Sequence, residues 1–323
     1  MLKTRITEML GIQYPIIQGG MAWLGVAELV AAVSNAGGLG VIGSVSFATP
    51  EELRSEIRKT RELTDKPFGV NITMLPAVRE LPNDGHVQVA VEEGVPVIET
   101  SGRRPDDYVD ILKKANIKLI HKVGSVRHAR SAERIGCDAV TAVGFEGAGF
   151  PLMDDITLWN LVPCMADAVA IPVIAAGGTT DPRQLVAALA LGAEAVSMGT
   201  RFMVTKESLA HSNIKEALVN AVETDTLMIQ RSIKNQTRVL KNEAAAQVLE
   251  MEGRGASLEE LLTVISGQRG RNALMEGHVD YGTLTCGQGV GLIQSAPTVA
   301  EVIESMVKGA ESLIREFGSR SRP

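Results

Sequence analysis

Two glycine-containing turns are the first candidates for chemistry, because each comes directly after a short apolar run. Pro172–Ala176 is followed by Gly177-Gly178, and Ala195–Met198 is followed by Gly199-Thr200. Such runs are typical of buried strands. Glycines after two neighbouring parallel strands let backbone N–H groups approach an anion closely, so the two turns predict a phosphate site. The alternative for either turn alone is that its glycine serves only the chain reversal.

The elements around these turns must bring them to one place. A helix begins between the two runs at Asp181-Pro182, where a capping residue precedes the proline favoured at the first helical position. Six further apolar runs come earlier and alternate with helical segments. These runs are Tyr14–Met21, Leu39–Val45, Phe68–Met74, Val95–Thr100, Lys118–Val123 and Ala139–Val143. Eight such units predict an α/β fold, the TIM (β/α)8 barrel, whose chemistry lies at the carboxyl ends of the strands. An open doubly wound sheet is the alternative.

The pattern changes after Thr205. Residues 207–267 read as consecutive helices, and residues 206–282 are predicted to form a helical insertion after strand 8 that acts as a lid. The barrel domain then comprises residues 1–205 and 283–323, closed by an amphipathic helix from Thr298. Within the insertion, Ser266–Arg271 is a small, basic, glycine-rich stretch. It could bind a pyrophosphate or an anionic substrate, or it could be a solvated loop.

Composition excludes several classes of protein. The 323 residues carry 32 Lys and Arg against 38 Asp and Glu, a net charge of −6, and no long basic run. Nucleic acid and anionic membrane partners are therefore not expected. The three cysteines, Cys137, Cys164 and Cys286, form no close pair, and no apolar run approaches the length of a membrane span. A cytoplasmic protein with a small-molecule substrate is expected; a homodimer is left open.

Six motifs, taken together, resemble the flavin-dependent nitronate monooxygenase family. Relatives in this family include bacterial NADH:quinone reductases and flavin-containing enoyl-acyl-carrier-protein reductases. The resemblance extends over nearly the whole chain and is more specific for the superfamily than for one reaction. The motifs are Gln18–Met21 (QGGM), Asn35–Gly40 (NAGGLG), Lys66–Asn71 (KPFGVN), Gly144–Gly149 (GFEGAG), Ala176–Gly178 (AGG) and Met198–Phe202 (MGTRF).

The resemblance implies FMN at the mouth of the barrel and no metal. Asn71 and Lys122 would contact the polar edge of the flavin ring, where a fixed cation stabilises the negative charge that reduction brings. The alternatives are a solvated lysine at a strand end and a turn-forming asparagine. The remaining cofactor residues implied by the family are Gly19, Gly20 and Met21 at the ring, Ala148 and Gly149 in the sixth loop, and Gly177, Gly178, Gly199, Thr200 and Gln288 near the phosphate.

One position departs from the family pattern. Phe150 occupies the place where relatives carry a histidine, and a phenyl ring cannot transfer a proton. Deprotonating a neutral nitroalkane or protonating an enoyl thioester would then lose about 10²- to 10⁴-fold in rate. Oxidation of a nitronate with O2, which is the favoured reaction, needs no base, and neither does hydride transfer from NAD(P)H in a quinone reductase. An enoyl-acyl-carrier-protein reductase and a flavin-binding paralogue without turnover are two further candidates.

The five histidines offer little else for proton transfer. His121 precedes Lys122 on the fifth strand, so it is expected to point toward the helices if Lys122 faces the cofactor. His86 is expected in a loop and His128 on a helix surface. His211 and His278 fall in the insertion, where either could approach the substrate from above.

Overall fold

The computed structural model describes residues 2–74, 81–151 and 154–320. Within those ranges, eight parallel strands form one sheet in the order β1-β8-β7-β6-β5-β4-β3-β2. Their bounds are β1 Ile16–Gln18, β2 Gly40–Gly43, β3 Phe68–Met74, β4 Val97–Gly102, β5 Lys118–Val123, β6 Ala139–Val143, β7 Val173–Ala176 and β8 Ala195–Met198. All eight predicted strands are present, and the predicted TIM barrel is confirmed.

The seam between β1 and β2 closes the barrel. A parallel bridge joins Ile17 to Leu39, and Gln18 N donates to Leu39 O at 2.9 Å. The fully buried side chain of Gln18 extends this pairing, because its Nε2 donates to Val41 O at 3.2 Å and its Oε1 accepts from Val41 N at 3.1 Å. A side chain therefore replaces part of the ladder where the two strands separate.

Helices cover the outside of the barrel. Before β1 lies α1 Arg5–Leu10, and the later connections carry α2 Ala27–Asn35, α3 Pro50–Leu63, α4 Asn83–Glu92, α5 Val109–Lys114, α6 Val126–Ile135, α7 Leu158–Ala166 and α8 Pro182–Ala190. The predicted start of α8 is confirmed: Asp181 and Gln184 form a capping box with proline at the first turn. His86 lies in α4 and is fully buried, so its expected loop position is wrong.

The segment after β8 contains both helices and strands. It consists of α9 Thr200–Met203, α10 Ser212–Asn220, β9 Thr226–Ile229, β10 Thr237–Leu240, α11 Glu243–Gly253, α12 Leu258–Ile265 and α13 Gly267–Glu276. The antiparallel pair of β9 and β10 corrects the expectation of consecutive helices. Two runs of only four residues carry too little periodicity to be recognised as strands. Most of the basic stretch 266–271 is helical, in α13, and not a loop.

The last helix completes the outer ring. As predicted, α14 Val299–Arg320 is long and amphipathic, and it packs against α8 and α2. Its Gly309 meets the first turn of α8 so closely that a Cβ there would lie 2.6 Å from Pro182 Cγ. No helix in the described ranges combines the length and apolar character needed to cross a membrane.

Candidate active site

The interior of the barrel is apolar at the amino ends of the strands. Inward-facing side chains from seven strands join one buried cluster with Ile6, Leu10 and Ile12 of the α1 region. The strand residues of this cluster are Ile17, Leu39, Val41, Val97, Ile120, Ala139, Ile174 and Ala195. Arg5 holds α1 in place, since its Nε donates to Glu194 Oε1 at 2.7 Å and its Nη1 to Ala170 O at 2.6 Å. This end of the barrel is a packed plug.

Two residues further along several of the same strands, the interior becomes polar. Strand alternation turns Glu99 inward above Val97 and Lys122 inward above Ile120. Asn71 is the register partner of Glu99, so these two side chains start at the same level. The side chains of three neighbouring strands therefore meet at the carboxyl end of the barrel.

These three side chains form one hydrogen-bonded network. Lys122 Nζ lies 3.0 Å from Glu99 Oε2, and Asn71 Nδ2 donates to the same oxygen at 2.8 Å. Thr73 Oγ1 donates to Asn71 Oδ1 at 2.9 Å. A carboxylate only accepts, so the amide of Asn71 must present its NH2 group to Glu99. Among the residues that the structure describes, Glu99 is the hydrogen-bond or ion-pair partner of both Asn71 Nδ2 and Lys122 Nζ.

Glycines form the floor beside this network. A Cβ on Gly19 would lie 2.9 Å from Ser197 Oγ and 3.7 Å from Lys122 Nζ. A Cβ on Gly20 would lie 2.4 Å from Asn71 Cβ, which no side chain could accommodate without movement. Met21 adjoins the opening of β8, since its Sδ lies 3.7 Å from the Cβ position of Gly199. The backbone of Gly19 and Gly20, which we call the floor of the site, therefore lies close to Lys122 and Asn71.

The turns at the carboxyl ends of β7 and β8 contain Gly177, Gly178, Gly199 and Thr200, which we call the glycine cradle. Gly177 and Gly178 have φ values of 145° and 64°, which L side chains rarely adopt. The turn 287–289 crosses above them: Gly287 N donates to Thr200 Oγ1 at 3.0 Å, and Gln288 N donates to Glu146 O at 2.9 Å. The predicted residues Gly199, Thr200 and Gln288 therefore lie at one edge of the barrel mouth with the two glycines.

The loop after β6 lies directly beside these turns, since the Cβ position of Gly177 is 3.1 Å from Gly147 N. Glu146 accepts from Leu158 N at 3.0 and 3.1 Å, and burial raises the pKa of its carboxyl group. Ala148 N lies 3.3 Å from the Cβ position of Gly287, so the loop reaches the cradle. Phe150 is 45% exposed at the end of this loop. The phenyl ring that stands in place of the expected histidine is therefore accessible to solvent.

Comparison with known proteins identifies the family. The nitronate monooxygenase family matches residues 3–309. The chain belongs to the nitronate monooxygenase family. It is accordingly an oxidoreductase, and dependence on a flavin is typical of this family.

Three proteins that are similar to this chain carry different names. The first, from Rhodococcus jostii, is named (3aS,4S,5R,7aS)-5-hydroxy-7a-methyl-1-oxo-octahydro-1H-indene-4-carboxyl-CoA dehydrogenase; it is 34% identical, and the match covers 98% of both chains. FabK from Thermotoga maritima has a solved structure with 40% identity and a TM-score of 0.91, covering 99% of this chain and 100% of that one. "Probable nitronate monooxygenase" of Staphylococcus aureus is 35% identical over 78% of this chain and 82% of its own.

Two charged residues near the barrel mouth were not among those expected from the sequence. For Glu99, an acidic residue at an inward position of a strand is a usable signal. Arg238 lies in the insertion on β10 and is 3% exposed. Its guanidinium stacks 4.4 Å from the ring centre of Phe145, and its Nε donates to Phe145 O at 3.0 Å. Burial lowers the pKa of Arg238, so this loop contact is made at a desolvation cost.

The histidines lie where they contribute little to the barrel mouth. His121 faces outward as expected: its Nδ1 lies 2.8 Å from Thr100 Oγ1, and burial lowers its pKa to about 4. His128 is partly buried on α6. His211 caps α10 by accepting from Asn213 N at 3.2 Å. His278 is 62% exposed, 3.5 Å from Glu276. Across the described ranges, no group of three or more His, Cys, Asp or Glu could hold a metal ion.

Proposed function

We propose that this chain is an FMN-dependent oxidoreductase that binds the cofactor at the carboxyl mouth of the barrel. The observation that carries the proposal is the ammonium of Lys122, held 3.0 Å from Glu99 Oε2 beside the side-chain-free floor of Gly19. A planar ring fits a floor without side chains, and a cation at its edge stabilises charge that develops on reduction. The residues present therefore fit a flavin.

The remaining contacts follow from the cradle and the loops. Gly177, Gly178, Gly199 and Thr200 would hold the phosphate through backbone N–H groups and a hydroxyl, in the place where barrels of this class commonly bind phosphate. Gly20 and Met21 would support the ring, and Asn71 would donate an amide N–H to the polar edge. Bound FMN would supply two-electron transfer between a donor and an acceptor. The groups that would line the sides are Ala148, Gly149 and Gln288.

The proposed substrate is a nitronate, oxidised with O2 as acceptor. A nitronate is already deprotonated, so the site needs no base at the position of Phe150. Glu146 is a weak replacement, because its carboxylate accepts from Leu158 N through both oxygens. Phe150 would instead offer an apolar face to the substrate. Residues 206–282 would act as a lid, since Arg238 N donates to Gly149 O at 2.8 Å and so ties the insertion to the substrate loop.

A second candidate is a reaction on a substrate carried as a thioester. The relative named as a carboxyl-CoA dehydrogenase and FabK, an enoyl-ACP reductase, match this chain from end to end, insertion included. The relative named as a nitronate monooxygenase matches 78% of it. Matches that extend through residues 206–282 favour a shared class of substrate, with NAD(P)H as the reductant. This candidate needs a proton donor other than Phe150.

One experiment separates these candidates. The apoprotein is reconstituted with FMN or FAD, and the loaded protein is mixed anaerobically with propionate 3-nitronate, NADH or NADPH. Bleaching by the nitronate with recovery in O2 supports the first proposal. Bleaching by NAD(P)H followed by recovery on crotonyl-CoA supports the thioester candidate. Bleaching by NAD(P)H followed by recovery on a quinone supports a quinone reductase. Bleaching by none indicates a flavin-binding paralogue, and a protein that takes up no FMN contradicts the cofactor proposal.

A further inference from the structure

Glu99 is a buried carboxylate that neither of the proposed reactions uses. It belongs to β4, and its side chain is 4% exposed. Its Oε2 receives hydrogen bonds or ionic contacts from two groups on the neighbouring strands, Asn71 Nδ2 at 2.8 Å and Lys122 Nζ at 3.0 Å. Two of the residues expected to touch the cofactor are thus held by a third that lies between them, on the middle strand.

Stability alone is a weak reason for this carboxylate. Taking an ion pair out of water costs about as much as the pair returns, and apolar replacements of such pairs are often neutral or stabilising. The layer directly below, at Val97, is apolar. The position of Glu99 is better explained by its effect on the charge above it.

The carboxylate changes the electrostatic field at the floor of the site. Lys122 Nζ lies 3.7 Å from the Cβ position of Gly19, so the ammonium borders the surface where the ring would lie. Glu99 is the register partner of Ile120, which is one inward position before Lys122 on β5, and the charges of Glu99 and Lys122 together sum to zero. In a partly buried site, charges at such distances interact with little screening. The field felt by a reduced, negatively charged ring is therefore weaker than an unpaired lysine would produce.

We propose that Glu99 is a positioning residue that sets the reduction potential of the bound flavin, by fixing Lys122 and Asn71 in place while offsetting the lysine's charge. This inference rests on the proposed FMN site and adds a regulatory element to it. Without the carboxylate, Lys122 would stabilise the reduced form more strongly and the oxidised form little more. Electron transfer from the flavin to its acceptor would then be less favourable.

The test is the reduction potential of reconstituted protein, measured against reference dyes, with FMN affinity measured alongside. Glu99→Gln keeps the shape and removes the charge. We expect the ratio of the dissociation constants for oxidised and reduced FMN to rise about tenfold, which for a two-electron couple is a shift of about 30 mV to higher potential. Lys122→Met is expected to shift the potential in the opposite direction, and the double variant to lie near the wild type.

Glu194→Gln is the matched control. Like Glu99, Glu194 is paired with a cation, here Arg5, but this pair lies at the opposite end of the barrel. Its substitution should therefore leave the reduction potential unchanged. If Glu99→Gln does not fold, Glu99→Asp keeps the charge but lengthens the pair, and a smaller rise is expected. A potential for either Glu99 variant equal to that of Glu194→Gln, or a lowered one, would overturn the inference. Failure of the wild-type apoprotein to bind FMN would instead overturn the proposed function.

Discussion

The two halves of the barrel interior are built on the same strands and serve different ends. On β4 the inward residues are Val97 and then Glu99; on β5 they are Ile120 and then Lys122. The first of each pair belongs to the apolar cluster that α1 seals. The second belongs to the polar network at the open mouth. A step of two residues along a strand thus separates the part that stabilises the barrel from the part that can do chemistry.

The difference teaches where the barrel can carry charge. A buried polar group is costly unless it is hydrogen-bonded, and a buried charge more so. The carboxyl half meets this condition, because Glu99, Asn71 and Thr73 satisfy one another. The amino half offers no such partners among the residues of its cluster. Charge is therefore expected to be tolerated at one level of the barrel and not at the other.

The largest effect is expected for a charge placed in the wrong half. Val97→Glu puts a carboxylate at a position that is 1% exposed and surrounded by apolar side chains. We expect it to lower the free energy of unfolding by about 4–5 kcal/mol, or to prevent folding, since the charge is buried unpaired. Urea denaturation measures this. Glu99→Gln is the companion variant two residues away; a loss as large as that of Val97→Glu would contradict the distinction between the halves.

A loss of charge in the polar half should affect activity more than stability. Lys122→Met is expected to slow flavin reduction by the active donor about 10²- to 10³-fold, because one preorganised cation is removed from the place where charge develops. Stopped-flow absorbance under anaerobic conditions gives the rate constant. Lys118→Met makes the same change at the other end of β5, where Lys118 Nζ lies 3.4 Å from Asp138 Oδ1. The rate constant of Lys118→Met should stay close to that of the wild type. If both variants lose the same factor in rate, the assignment of Lys122 to the site is contradicted.

His121, on the outward face of β5, should make the free energy of unfolding depend on pH. Burial lowers the pKa of His121 to about 4, against the value of 6.5 usual for an unfolded chain. The unfolded chain therefore binds a proton that the folded chain does not, and stability is lost as pH falls from 6.5 toward 4, by up to about 3 kcal/mol. His121→Gln should flatten this slope in denaturation curves measured across that range. His278→Gln, at an exposed site, should retain the slope, and a retained slope in both would contradict the assignment.

Much of the fold is visible in the sequence because its signals are local. Apolar runs ending in glycine mark the strands, and Asp181-Pro182 marks the start of α8. The placement of the two glycine turns at one edge of the barrel was predictable for the same reason, because turns that follow neighbouring parallel strands lie side by side. Asn71 and Glu99 are brought together only by the register of β3 and β4, so their contact could not be predicted from local sequence signals.

Other parts of the site depend on contacts that no local pattern shows. On the edge of β10 that faces away from β9, Arg238 pairs with Gly149 and Val239 pairs with Thr285, so a hairpin in the insertion holds the loop after β6. Arg238 acquires its place over Phe145 from this pairing, more than ninety residues away in sequence. Four-residue strands have little periodicity, and a buried arginine looks like a surface one in sequence. Tertiary pairing therefore decides what the sequence leaves open.

The smallest expected effect concerns the mouth above the polar half. Phe150→His restores the group that the family pattern has at a position 45% exposed in this chain. We expect kcat/KM for a neutral nitroalkane to rise about tenfold relative to that for the corresponding nitronate, because only the neutral substrate needs a base. Nitroethane and ethyl nitronate, assayed by oxygen consumption, provide the pair. Phe150→Gln can form hydrogen bonds but cannot transfer a proton, so it should raise kcat/KM for neither substrate. If the histidine raises kcat/KM equally for both substrates, Phe150 limits access to the site and not proton transfer. The lack of a base at this position would then no longer argue for a nitronate substrate.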